Sequence, residues 1–230
     1  MRKLPRERIS YYLASLVIAG LSNRVFYIIA HLLCVNREDF SLALPMDGMI
    51  PFLPWTMVIY MGCVPFWCFV FYVVTAQSRE KADRLFAANL TAKLLCCLIF
   101  IIMPTTMERP TPDLSTFWGW TAGLLYGVDA PDNLFPSIHS CVAWLCWAAV
   151  RGDREYPAAF RWTAFAAALG VFASTLTMRQ HVAMDILGGI AAAEICLLIA
   201  GNEAPRRVYA RLADGLARLL PPRREKKEEG

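Results

Sequence analysis

Long apolar runs separated by short polar segments set the pattern of this chain, at residues 10–34, 55–75, 85–103, 136–150, 162–178 and 182–201. A helix rises about 1.5 Å per residue, so about twenty apolar residues cross the ~30 Å hydrocarbon core of a bilayer. The second, third and sixth runs are long enough to cross, the first is interrupted by Asn23 and Arg24, and the fourth is short. The pattern predicts an all-α, polytopic membrane helical bundle of about six transmembrane helices over residues 1–205. A basic amphipathic tail follows over 206–230, with Val208, Leu212, Leu216 and Leu219 at helical spacing among arginines. A segment of that kind is expected to lie on the inner leaflet, drawn by anionic lipid.

Composition strengthens the membrane reading. The 230 residues are 57% hydrophobic and 18% charged, against ~25% charged for a soluble domain. That excludes a disordered chain, which is poor in apolar and aromatic residues, and disfavours a soluble enzyme. Eighteen of the 23 Lys and Arg fall in the amino end, the segment around Arg79–Arg84, the segment around Arg151–Arg161 and the tail. The alternate loops hold Arg37, Arg109 and Arg179, and Arg24 and Lys93 fall inside runs. The positive-inside rule then predicts a multi-pass protein of the cell membrane with both termini cytoplasmic. Val17-Ile18-Ala19 is a passable signal-cleavage site, but Ser10, Tyr11 and Tyr12 break the preceding apolar core, so an uncleaved anchor is expected. The eight cysteines show neither zinc-type spacing nor a disulfide framework and read as buried free thiols.

Small residues at Ala166, Gly170 and Ser174, and at Gly188, Gly189, Ala192 and Ala193, suit close helix approach in lipid. Phe117-Trp118-Gly119-Trp120 reads as an interfacial aromatic belt. A lone charge deep in a span is costly, so Lys93 and Glu194 are expected to pair between the third and sixth spans.

Candidate chemistry collects at one boundary. His139 opens the fourth run and His181 the sixth, both entering from the outer side, where Arg109 and Arg179 also fall. Asp185 lies one helical turn beyond His181 and shares its face. A carboxylate there can fix the imidazole tautomer and leave the other ring nitrogen facing a substrate. In Asp132-Asn133-Leu134-Phe135-Pro136-Ser137-Ile138-His139, proline in the first turn of a helix would leave free N–H groups suited to an anion. Ser137 could add a hydroxyl and Arg109 a planar fork for phosphate oxygens. His31 reads as a satisfied headgroup-level side chain, and Glu194, on the opposite helix face from Asp185, is expected outside the site.

Arg109-Pro110, then Pro136-Ser137-Ile138-His139, then Ser174-Thr175 with His181 and Asp185 resemble, in order and spacing, the three-part signature of the phosphatidic acid phosphatase type 2 / haloperoxidase superfamily. The resemblance implies a phosphohistidine on His181, a proton donated to the leaving alkoxide by His139, and orientation of His181 by Asp185. Ile102, Ile138 and Thr175 stand where the family has lysine, glycine and arginine. Two phosphate-neutralising charges are therefore missing, and Arg179 is expected to supply one. The altered pattern looks closer to the branch that includes inositol phosphorylceramide synthases, which pass a headgroup to an alcohol.

The expected activity is therefore a lipid-phosphate phosphatase at the outer face. The alternatives are a lipid headgroup phosphotransferase and a non-catalytic lipid-binding relative. The expected partners are the membrane and a lipid phosphate, with no nucleic acid, no metal and no cofactor. Topology is directly testable: a reporter fused after Gly230 should be active only inside, and a tag near Asp113 should be reachable only from outside. The opposite labelling would invert the site.

Overall fold

The computed structural model describes residues 3–34, 37 and 40–220. Arg2, the tail's basic residues beyond 220 and Gly230 lie outside them. Among the described residues the helices are α1 (Arg6–Cys34), α2 (Pro45–Met49), α3 (Met57–Gln77), α4 (Arg79–Ile102), α5 (Phe117–Val128), α6 (Ile138–Ala148), α7 (Ala158–Thr177), α8 (Ala183–Ile199) and α9 (Glu203–Ala217). A single 3-10 turn leads into α3. Side-chain caps start several of them: Ser78 accepts from Lys81 N–H, Thr116 from Gly119 N–H and Ser137 from Ser140 N–H.

Each of the six apolar runs lies on a helix, namely α1, α3, α4, α6, α7 and α8. Among the described residues, α1, α3 with its 3-10 lead, α4 and α7 are each long and apolar enough to cross a membrane. Helix α6 has 11 residues, and α8 qualifies only with α9, from which it is bent by 93°. The protein is an all-α, multi-pass membrane bundle.

Helix α6 occupies the middle, packed against α3, α4, α7 and α8. Its tightest neighbour is α8, and the small residues there explain the closeness. A Cβ added at Gly189 would sit 2.6 Å from the Ser137 carbonyl oxygen, and one at Gly188 would meet the Phe135 ring at 2.4 Å. Gly170 approaches α3 more loosely, with Ile59 Cγ2 at 3.6 Å from the added carbon.

Lys93 departs from the expected pairing. Its Nζ donates to the Ala19 carbonyl of α1 at 2.7 Å. Glu194 instead accepts from Arg151 at 2.6 and 2.8 Å and from Trp144 Nε1 at 2.7 Å. The two charges lie on helix faces that look away from each other, α4 toward α1 and α8 toward α6. A backbone carbonyl satisfies the ammonium where no carboxylate can reach.

The expected boundary at residue 206 falls inside α9, because α9 starts at Glu203 and docks on α1 and α4. Tyr209 and Ala213 are buried, and the Tyr209 ring stacks on Phe86 with centroids 5.8 Å apart. Arg79 bonds Asp214, and Arg206 bonds Glu80. Val208, Leu212 and Leu219 of the expected apolar stripe are exposed on the other side. All eight cysteines are free, seven of them buried and Cys68 half-buried.

Antiparallel succession brings the C-termini of α1, α4 and α7 and the N-termini of α3, α6 and α8 to one end. The ion-paired cluster of Lys81, Asp153, Glu155, Arg151 and Glu194 lies at the other. Gly189→Ala should destabilise the fold by about 1–3 kcal/mol, because the new methyl overpacks against backbone that cannot move aside. Gly170→Ala should be nearly neutral. Thermal unfolding of both variants in detergent checks this, and equal midpoints would discount the α6–α8 contact.

Candidate active site

The end of α7 sets the site. Gln180 N–H bonds the Thr175 carbonyl at 2.9 Å and Arg179 N–H bonds that of Leu176 at 3.0 Å, the paired bonds of a Schellman motif. Arg179 is the left-handed residue of that motif, with φ 50°, a position that favours glycine. The reversal delivers Gln180 and His181 directly in front of α8.

Asp185 then does two things from one oxygen. Oδ2 accepts from Val182 N–H at 3.0 Å, which caps the start of α8, and lies 3.2 Å from His181 Nδ1. With its proton on Nδ1, His181 donates to the carboxylate and leaves Nε2 free. The Asp185 carbonyl accepts Ser137 N–H at 3.0 Å, so the same residue ties α8 to the start of α6. His139, two residues further along, packs at a tilt against Tyr60 and Trp67, at 4.6 and 5.8 Å between centroids. The His139 and His181 rings lie 6.0 Å apart.

Both histidines line a cavity of about 130 Å³ that also meets Arg24, Arg109, Asn133 and Gln180. Arg109 reaches it in a constrained pose. Its guanidinium bonds the carbonyls of Arg179 and Asp129 and the Gln180 side-chain oxygen, and lies 4.8 Å over the Tyr126 ring. Two carboxylates share the cavity. Asp132 is bound by Tyr27 at 2.6 Å and by His31, so His31 is satisfied, as expected, by a carboxylate of the site's rim. Burial holds the Asp129 carboxyl above the usual carboxylate range, while Arg109 and His181 pull the other way.

Two expected ligands of the phosphate are placed elsewhere. Ser137 is fully buried and its Oγ accepts Ser140 N–H, so it serves as the cap of α6 and does not line the cavity. Pro136 stands one residue before that cap instead of within the first turn. The Arg179 guanidinium turns away onto the Asp47, Gly48 and Ile50 carbonyls and faces a separate recess beneath α2. The left-handed backbone at Arg179 aims its side chain opposite to the cavity.

Other residues escaped the sequence reading. Asp47 is buried, and its carboxylate accepts Ala183 N–H of α8 at 2.9 Å and Leu44 N–H at 2.7 Å. It joins Asp185 in occupying the positive end of α8. Nothing local marks an aspartate of the short helix α2 as the cap of a helix 136 residues away. Arg24 did carry a signal, as a charge inside an apolar run. No family model matches the chain, and no curated protein does.

Arg179 and Asp47 thus act on structure. Asp47→Ala should cost about 1–3 kcal/mol, since it leaves the Ala183 and Leu44 N–H groups without their acceptor. Arg179→Gln should lower the unfolding midpoint without weakening phosphate binding. Unfolding curves with and without inorganic phosphate check both, and a weakened phosphate response in Arg179→Gln would return that residue to the site.

Proposed function

We propose that the protein is an integral membrane lipid-phosphate phosphatase of the phosphatidic acid phosphatase type 2 / haloperoxidase type, working through a phosphohistidine at the outer face of the cell membrane with both termini cytoplasmic. The observation that carries this reading is the pair of imidazoles across one cavity, one of them held by a buried carboxylate. His181 Nε2 attacks phosphorus while the bond from phosphorus to the lipid oxygen breaks, and that oxygen takes a proton from His139. Water then attacks the phosphohistidine, giving its proton back to His139, and inorganic phosphate leaves with His181 restored. Asp185 holds the His181 tautomer and offsets positive charge on the ring. Arg109 offers charge to the transferring group.

A lipid headgroup phosphotransferase is the second reading, and Asp129 and Asp132 favour it. Carboxylates beside the site repel a phosphomonoester dianion more than a singly charged phosphodiester. Asp129 could also take the proton of an attacking alcohol.

His181→Ala should abolish turnover, since it removes the atom that carries the intermediate. His139→Ala should slow a lipid phosphate by about 10²–10⁴-fold and an activated aryl phosphate far less, because only the lipid alkoxide needs a proton as it departs. Asp185→Asn should lower the rate and leave the protein folded. Phosphate release from a panel of lipid phosphates in detergent checks these, with trapping under acid-free quench. Bare phosphate on His181 supports the phosphatase, and a headgroup phosphodiester supports the transferase. Full activity in His181→Ala would sink both.

A further inference from the structure

The cavity lacks the two charges that the motif comparison leads one to expect, and neither of those positions lines it. Ile102 is 74% exposed at the end of α4, outside the cavity. Thr175 is fully buried, its hydroxyl on the Phe172 carbonyl and its own carbonyl receiving Gln180 and His181 N–H. A charged side chain at Thr175 would have no room, and Arg179 is committed to backbone carbonyls elsewhere.

Three other groups in the cavity remain unspent. Arg24 lines it from α1 and makes no hydrogen bond to a described residue. Its guanidinium faces the charge of the Asp129 carboxylate across the cavity without a hydrogen bond to it, whereas Arg109 is held by three acceptors. Gln180 is 2% exposed, and its Nε2 is buried without a partner. The amide orientation is not arbitrary. Arg109 can only donate, so the atom facing it at 2.6 Å must be the Gln180 oxygen, which turns the NH2 the other way. Asn133 Nδ2, from a residue 6% exposed, is likewise buried and unpartnered. Buried donors are costly to leave unpaired, and both residues belong to the wall of the cavity that Arg24 also lines.

We propose that Arg24, Gln180 Nε2 and Asn133 Nδ2 form an anion-binding set for phosphate oxygens, and that the phosphate belongs to a lipid approaching sideways between α1 and α3. The proposal rests on the phosphate chemistry read above and assigns it residues outside the motifs. The sideways approach follows from how α1 packs. Near the far end α1 meets α3 through Tyr12 with Cys68 and Tyr72. Toward the site it leans instead on α4, through Lys93 with Ala19 and Cys97 with Phe26. The cavity fills the gap this opens, with Arg24 and Trp67 on its two sides. Gly20, one turn before Arg24 on the same face, would meet nothing within 4 Å of an added Cβ.

Binding is read without turnover, by thermal stabilisation of the purified full chain in detergent, titrated with inorganic phosphate or with a short-chain phosphatidic acid. Arg24→Gln should weaken inorganic phosphate by about tenfold or more, the loss of a charge-assisted bond, and leave the ligand-free midpoint unchanged. Arg24→Lys should recover most of the affinity. Gln180→Glu keeps the acceptor for Arg109 but removes the donor, and should abolish phosphate binding. Phosphatidic acid should bind more tightly than inorganic phosphate, and Gly20→Trp should remove that excess alone. Wild-type phosphate affinity in Arg24→Gln, or no phosphate binding in wild type, overturns the anion set. Equal affinity for the two probes, or an unaffected Gly20→Trp, overturns the lipid route. Phosphate binding without turnover of any lipid phosphate would sink the phosphatase and leave the anion set standing.

Discussion

Asp185 is the residue on which the rest of the site depends. One of its oxygens caps the first turn of α8 and meets His181, and its carbonyl receives the amide of Ser137 at the start of α6. The imidazole, the helix that follows it and the helix that bears the second imidazole are therefore referenced to a single turn of chain. The approach works only because Gly189 has no side chain, letting the Ser137 carbonyl close to a distance that a Cβ would forbid. Had α6 and α8 been held apart by even a methyl group, the rings of His139 and His181 would not face one cavity.

Around that pair the charges are arranged unequally. The positive end of α8, a natural anion site, is taken by two carboxylates of the protein itself, Asp185 and Asp47. Arg109 organises the loops as much as it faces the cavity, holding the carbonyls of Arg179 and Asp129 and the amide of Gln180. The anion-binding set proposed above draws on Arg24, Asn133 and the amide nitrogen of Gln180, whose oxygen holds Arg109. The carboxylates Asp129 and Asp132 make the cavity mixed in sign, and mixed sign favours a ligand that carries limited negative charge or that brings a proton to be removed.

The membrane setting explains the economy of the interior. A lipid-embedded chain has no water to satisfy stray polar groups, so Lys93 is met by a carbonyl, and Glu194 by Arg151 and Trp144. Small residues take the place of large interlocking ones where helices touch most closely. Several buried polar atoms are left without a partner all the same, and among those on the cavity wall are the amide nitrogens of Gln180 and Asn133 and the indole nitrogen of Trp67.

The sequence by itself determined the class of fold, the six apolar runs and their succession, and hence that His139 and His181 reach the same end. Those follow from period, length and parity, which are local or additive properties. It also pointed to the His181–Asp185 contact, although not by a shared helix face: His181 precedes α8, and Asp185 in the first turn reaches back to it while capping the helix. Tertiary structure alone decided which charges look inward. Arg179 lies two residues from His181 yet points away, since a left-handed backbone reverses its side chain, while Arg24, more than 150 residues from His181 along the chain, lines the cavity because α1 leans on α4. The same holds for Ser137, a cap instead of a ligand, for Lys93 and Glu194, which share no face, and for Asp47 at the start of α8. Helix rotation and loop path set the direction of a side chain, and neither is written in the spacing of residues along one strand of sequence.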